Sequence, residues 1–148
     1  NLVPELRLEW VGKEQIYREA DVISLHLPLT RQTRGMIGRT QLEQMKSDAL
    51  LINTARGGII NERDLYEVLK SGHLGGAAID VFEQEPYAGP LGEIDRCVLT
   101  SHMGSMSVDC RSRMEIEASE EAVRYLRGLP LESLVPEDEF ASQAQQAG

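Results

Sequence analysis

The chain has 148 residues, 41% of them hydrophobic and 26% charged, the make-up of a globular domain large enough for a real core. A net charge of −9 argues against nucleic acid or an anionic membrane surface as partner, and no apolar run approaches the roughly 20 residues that span a bilayer. The two cysteines, Cys97 and Cys110, form neither a CxxC pair nor a metal-ligand spacing, which points to a reducing, cytoplasmic setting and to no metal site.

Leu6–Val11 alternates apolar and charged residues around Trp10 and predicts a short strand near a sheet edge. Glu14–Ala20 predicts a short helix carrying Ile16 and Tyr17. Val22–Leu27 is nearly continuous in apolar residues, the pattern of a strand covered on both faces, and Pro28 ends it. A loop from Leu29 to Gly38 leads to Thr40, which with Glu43 three residues on predicts a capped helix through Leu42 and Met45. Ala49–Asn53 reads as a buried strand that stops abruptly at Thr54-Ala55-Arg56-Gly57-Gly58.

Asn61 is placed to cap the next helix, whose first turn carries Glu62 and Asp64 and whose Leu65, Val68 and Leu69 make one apolar stripe. Lys70 and Gly72 supply its stop. Gly75 and Gly76 then open a strand, Gly76–Val81, that runs close to neighbouring backbone. Tyr87–Arg96 reads as a loop and Cys97–Thr100 as a final strand. Ser107 caps a long helix to about Arg127, with Met114, Ala118, Ala122 and Leu126 on one face. The acidic and then Ser/Gln/Ala-rich residues 131–148 read as a fraying tail. Alternating strands and helices predict an α/β fold, a doubly wound parallel sheet. No G-x-G-x-x-G occurs in the chain.

Open α/β sheets bind ligands beyond the C-terminal ends of their strands, and three such ends carry polar groups here. Arg56 follows one strand. There a guanidinium can clamp a carboxylate with two prongs, or it can be an ordinary solvated loop arginine. Glu85 lies in Phe82-Glu83-Gln84-Glu85-Pro86. Its carboxylate can orient an imidazole and favour the charged ring, or be one surface acid among 24. His102 follows the last strand and suits proton transfer near neutral pH, although a lone histidine is often structural. His26 falls inside a strand pattern and reads as a packing residue, and His73 reads as a solvent-facing residue of a helix-stop turn. Asp80 interrupts a strand expected to be buried, so it meets either a ligand amide or neighbouring backbone.

Three segments in this order resemble the cofactor domain of the D-isomer-specific 2-hydroxyacid dehydrogenases, the group that includes D-3-phosphoglycerate, glyoxylate/hydroxypyruvate and formate dehydrogenases: Ala20-Asp21-Val22-Ile23-Ser24-Leu25-His26-Leu27-Pro28-Leu29-Thr30, Leu51-Ile52-Asn53-Thr54-Ala55-Arg56-Gly57-Gly58, and Ala78-Ile79-Asp80-Val81-Phe82 followed by Glu85-Pro86. The resemblance spans about Val11 to Gly128. It implies a Rossmann-type sheet with a long C-terminal helix, NAD as cofactor with NADP left open, and a small 2-hydroxy or 2-keto acid as substrate. It implies that Arg56 binds the substrate carboxylate, that His102 is the acid/base, that Glu85 pairs with it, and that Asp80 meets the nicotinamide amide. Leu27, Pro28, Thr33, Thr54, Ala55, Arg56, His102 and Gly104 would line the cofactor.

Two departures from the family pattern stand out. Ser101 replaces the usual proline before the histidine, and the Gly-rich strand–loop–helix that cradles a pyrophosphate is missing. The expectation is therefore a C-terminal fragment, with residues 1–130 a partial NAD(P)-binding domain that turns over poorly alone. Its long helix (107–127) would lead toward a missing substrate domain and favour a homodimer. A nicotinamide-sensing corepressor-type binding protein and a non-catalytic assembly fragment are the alternatives.

Overall fold

The computed structural model describes residues 8–134. The chain divides into two compact units, one within residues 1–101 and one within 102–148.

The first unit is a four-stranded, all-parallel sheet in the order β1-β2-β3-β4, formed by Val22–Leu25, Leu50–Asn53, Gly76–Ile79 and Cys97–Leu99. In register, Ile23 lies beside Leu51, Leu51 beside Ala77, and Asn53 beside Ile79. Three helices, α1 (Lys13–Glu19), α2 (Arg39–Gln44) and α3 (Glu62–Ser71), contribute Tyr17, Leu42, Leu65, Val68 and Leu69 to one core cluster with Ile23, Leu51, Ala77 and Ile79. Asn61 accepts the Asp64 N–H at 3.0 Å, and Gly72 closes α3 in the left-handed region at φ 86°, as its sequence predicts.

The opposite face of the sheet differs from the expectation for β1. Val22, Leu50 and Val98 are 53%, 45% and 63% exposed, and β1 alternates between exposed and buried positions. An apolar run reports side-chain chemistry along a strand but does not say how many layers cover it. Close approaches on the β3 side match the glycines: a Cβ at Gly76 would lie 2.8 Å from the Arg96 carbonyl oxygen, and one at Gly75 would strike the Asp48 backbone.

Three local expectations are corrected. Residues 8–12 form no strand, and Trp10 is fully exposed; Leu6 and Arg7 lie outside the described residues. Helix α2 begins after Gly38 rather than at Thr40: the Gln41 side chain accepts the Gly38 N–H at 3.1 Å, and Asp64 of α3 accepts the Arg39 N–H at 3.0 Å. This tertiary partner takes over the role of a local Thr cap. The loop after Tyr87 contains a short 3-10 helix, Pro90–Glu93, that buries Leu91.

The second unit contains α4, Val108–Leu126, capped by Ser107, whose hydroxyl accepts the Cys110 N–H at 3.2 Å. None of its residues is buried, and Met114, Ile116, Val123 and Leu126 are exposed. Most of the predicted tail, residues 135–148, lies outside the described residues. Among the described residues no helix is long and apolar enough to cross a membrane.

Candidate functional site

Within the first unit the sequence-selected residues collect beyond the C-terminal ends of β1, β2 and β3. Leu27 and Pro28 follow β1, Thr54, Ala55 and Arg56 follow β2, and Asp80 and Glu85 follow β3. Parallel strands all point the same way, so the sheet itself gathers these turns at one edge.

The β2 turn is built by Asn53, a residue the sequence reading passed over. It is 2% exposed. Its Nδ2 donates to the Arg56 carbonyl at 3.0 Å, and its Oδ1 accepts the Ala55 N–H at 3.1 Å. The side chain thus closes the turn from below and fixes the backbone that carries Arg56. A usable signal was present: Asn53 shares the buried phase of Leu51 in a period-two pattern, and a buried amide needs partners. Arg56 is exposed and donates from its guanidinium to the Ala55 carbonyl at 2.6 Å.

The β1 turn is shaped by Thr33, whose hydroxyl donates to the Pro28 carbonyl at 2.6 Å and also accepts the Thr30 N–H at 2.7 Å. The same loop is tied to the segment after Arg56. Gly35 donates to the Gly58 carbonyl at 2.8 Å, and Ile37 pairs with Ile60 in a parallel bridge.

Asp80 is 9% exposed. Its backbone N–H extends the ladder to the Asn53 carbonyl at 2.9 Å, and its carboxylate accepts the Thr100 hydroxyl at 2.5 Å. A buried carboxylate held by a hydroxyl just past the end of β4 meets the requirement that such a group be partnered. Glu85 is exposed, and its Oε1 accepts the Phe82 N–H at 3.0 Å, which folds the Phe82–Pro86 turn on itself. The Phe82 ring stacks on Tyr87 with centroids 4.2 Å apart. Gly57 brings the two turns into contact, since a Cβ there would strike the Phe82 carbonyl.

His102 and Gly104 belong to the second unit. His102 is exposed and adopts the left-handed backbone at φ 53°, a conformation non-glycine residues take rarely and at an energetic cost. The other two histidines, His26 and His73, differ from expectation. His26 lies beyond the end of β1, is exposed, and its Nε2 is 2.8 Å from the Ser24 hydroxyl. His73 is half-buried, with Nε2 3.0 Å from the Met45 carbonyl, so it ties the end of α3 to the end of α2 instead of facing solvent. A groove of about 550 Å³ lined by Asn61, Glu62, Tyr66, Glu83, Tyr87 and Pro90 contains none of the candidate site residues. Among the described residues no group of three His, Cys, Asp or Glu side chains could hold a metal ion.

A parallel sheet whose C-terminal edge presents backbone-rich turns, a guanidinium and carboxylates belongs to the class of open α/β domains that bind ligands at that edge. The family described as D-isomer specific 2-hydroxyacid dehydrogenase, NAD binding domain, matches residues 3–104. The chain belongs to that family and carries its NAD-binding domain. It is 44% identical over 126 residues to a glyoxylate reductase of Korarchaeum cryptofilum, an alignment covering 84% of this chain and 38% of that protein. It is 37% identical over 134 residues to a D-3-phosphoglycerate dehydrogenase of Bacillus subtilis, covering 86% of this chain and 26% of that protein. The solved structure of the TT0316 protein from Thermus thermophilus superposes with a TM-score of 0.84 at 38% identity, covering 90% of this chain and 43% of that one. The chain thus spans less than half the length of these relatives.

Proposed function

We propose that the chain is the nicotinamide-facing part of an NAD-dependent oxidoreductase of small 2-hydroxy or 2-keto acids, glyoxylate and hydroxypyruvate among the candidate substrates. The observation that supports this best is the Asn53-latched turn, which fixes the Thr54–Arg56 backbone at the sheet edge beside Asp80. The residues present in the first unit fit a nicotinamide nucleotide: Leu27, Pro28, Thr33, Thr54 and Ala55 offer backbone and small side chains that admit a flat ligand, and Asp80 offers a carboxylate acceptor for an amide. When bound, the nicotinamide supplies the hydride acceptor or donor. Arg56 takes the substrate carboxylate and, by two-pronged hydrogen bonding, sets the orientation of the reacting carbon. The family resemblance assigns the acid/base role to His102, which would receive the hydroxyl proton during oxidation and return it during reduction, and a supporting role to Glu85.

NADH supplied to the chain alone is the direct test. Ligand-observed NMR is expected to show saturation transfer to the nicotinamide ring protons, lost in Thr54→Trp, where the exposed Thr54 side chain becomes a plug. Turnover with glyoxylate, followed at 340 nm, is expected at background, because no G-x-G-x-x-G is present to cradle the pyrophosphate. Absence of saturation transfer, or transfer that persists in Thr54→Trp, overturns the assignment.

A further inference from the structure

Glu62 opens α3. An acidic residue in a helix's first turn is ordinarily explained by the helix dipole, and Asp64 supplies a second one here. Glu62 does something more specific. It is half-buried, and its Oε1 accepts the backbone N–H of Glu83 at 2.6 Å, 21 residues away in sequence. The preceding N–H, that of Phe82, donates to Glu85 Oε1. Two successive amides of one turn are therefore held by two carboxylates, one from within the turn and one from a helix. The turn is also restrained by the Phe82–Tyr87 stack and by the close approach of Gly57 to the Phe82 carbonyl and the Glu83 backbone nitrogen. Neither of these accepts the Glu83 N–H.

We infer that Glu62 is a positioning residue: its carboxylate holds the backbone of the turn that carries Glu85, and so fixes where the Glu85 side chain starts. The carboxylate keeps this place against its surroundings. Burial raises its pKa, the charge of Glu83 adds to the rise, and the Glu83 N–H acts in the opposite direction. A hydrogen bond to an ionised acceptor is stronger than one between neutral groups, which suits a restraint at the solvent edge of the sheet. The inference rests on the dehydrogenase reading only for its consequence, the readiness of Glu85 to act; the restraint itself needs no cofactor.

Residue-by-residue amide hydrogen exchange on the full chain, followed by NMR, tests the restraint. In Glu62→Ala the Glu83 and Phe82 amides are expected to exchange at least tenfold faster. The Asp80 amide, bonded to the Asn53 carbonyl in the sheet, keeps its rate and reports that the fold is intact. Glu62→Gln retains an oxygen acceptor at the same reach and is expected to keep both turn amides slow. A purely helix-dipole role predicts instead that Gln and Ala both lose the benefit of the charge, as a loss of protection in α3 itself, with no selective change at residues 82 and 83 in either variant. Unchanged exchange in Glu62→Ala, exchange that rises equally at Asp80, or a Gln variant as fast as Ala would each refute the proposal. Failure of NADH binding with these exchange rates as expected would remove the dehydrogenase reading and leave the restraint standing.

Discussion

Replacing Gly57 with alanine puts a methyl group where two strand-end turns touch. The added Cβ would lie 2.6 Å from the Glu83 backbone nitrogen and closer still to the carbonyl carbon and oxygen of Phe82, whereas ordinary van der Waals contact begins at 3.4 Å. All three neighbours are main chain, so no side chain can rotate away, and one turn must move by about 1 Å relative to the other. Overpacking in a well-packed region costs about 1–3 kcal/mol, and an obstacle of backbone places this change near about 3 kcal/mol. For a domain of this size that lowers Tm by about 10 °C. Calorimetry on Gly57→Ala beside Gly104→Ala, where nothing lies within 4 Å of the added Cβ, separates the clash from any general effect of alanine. A Gly57→Ala protein melting within a degree of the parent would refute the close-approach argument. Retention of NADH saturation transfer in such a variant would further show that the turn geometry is not needed for binding.

Two other expectations come from the same physical reading. Asn53→Ala removes both hydrogen bonds that close the Thr54–Arg56 turn and is expected to cost about 2–3 kcal/mol by urea denaturation, with Asn53→Asp intermediate because it keeps the acceptor and loses the donor. Burial pushes the Cys97 thiol up to about 11 from its ordinary 9.0, so alkylation by iodoacetamide at pH 8 is expected to be slow in the folded chain and fast in urea. Because the folded pKa lies above the unfolded one, the folded state holds the proton more tightly. The stability this contributes is intact below about pH 9 and fades as pH rises toward 11. The difference in Tm between the parent and Cys97→Ala should therefore shift against the parent between pH 8 and pH 10.5.

Much of the architecture was legible because it is written in local chemistry. Asn61 and Gly72 bracket α3, the stripe of Leu65, Val68 and Leu69 faces the sheet, and Gly75 and Gly76 mark the close approaches of β3. What escaped depends on partners distant in sequence. Thr40 looked like a helix cap because Glu43 stood three residues on, yet Asp64 from another helix settles where α2 begins. His73 looked solvent-facing because it follows a helix stop, yet a carbonyl 28 residues away engages its ring. Trp10 looked like a strand aromatic, although nothing in the described residues packs on it. At the candidate site, the charged residues Arg56, Asp80 and Glu85 were legible as types at strand ends. The parts that hold them, Asn53 and Glu62, were not, because an amide in a strand and an acid at a helix start each have a commoner explanation.

The contact at Gly57 also bears on redesign. Because the turns after β2 and β3 abut through main chain, and Glu62 clasps the second one from a helix that begins just after the first, the three behave as a single rigid fixture. Lengthening either turn would unseat the other. Changes here are better made by exchanging outward-facing side chains than by inserting residues at this junction.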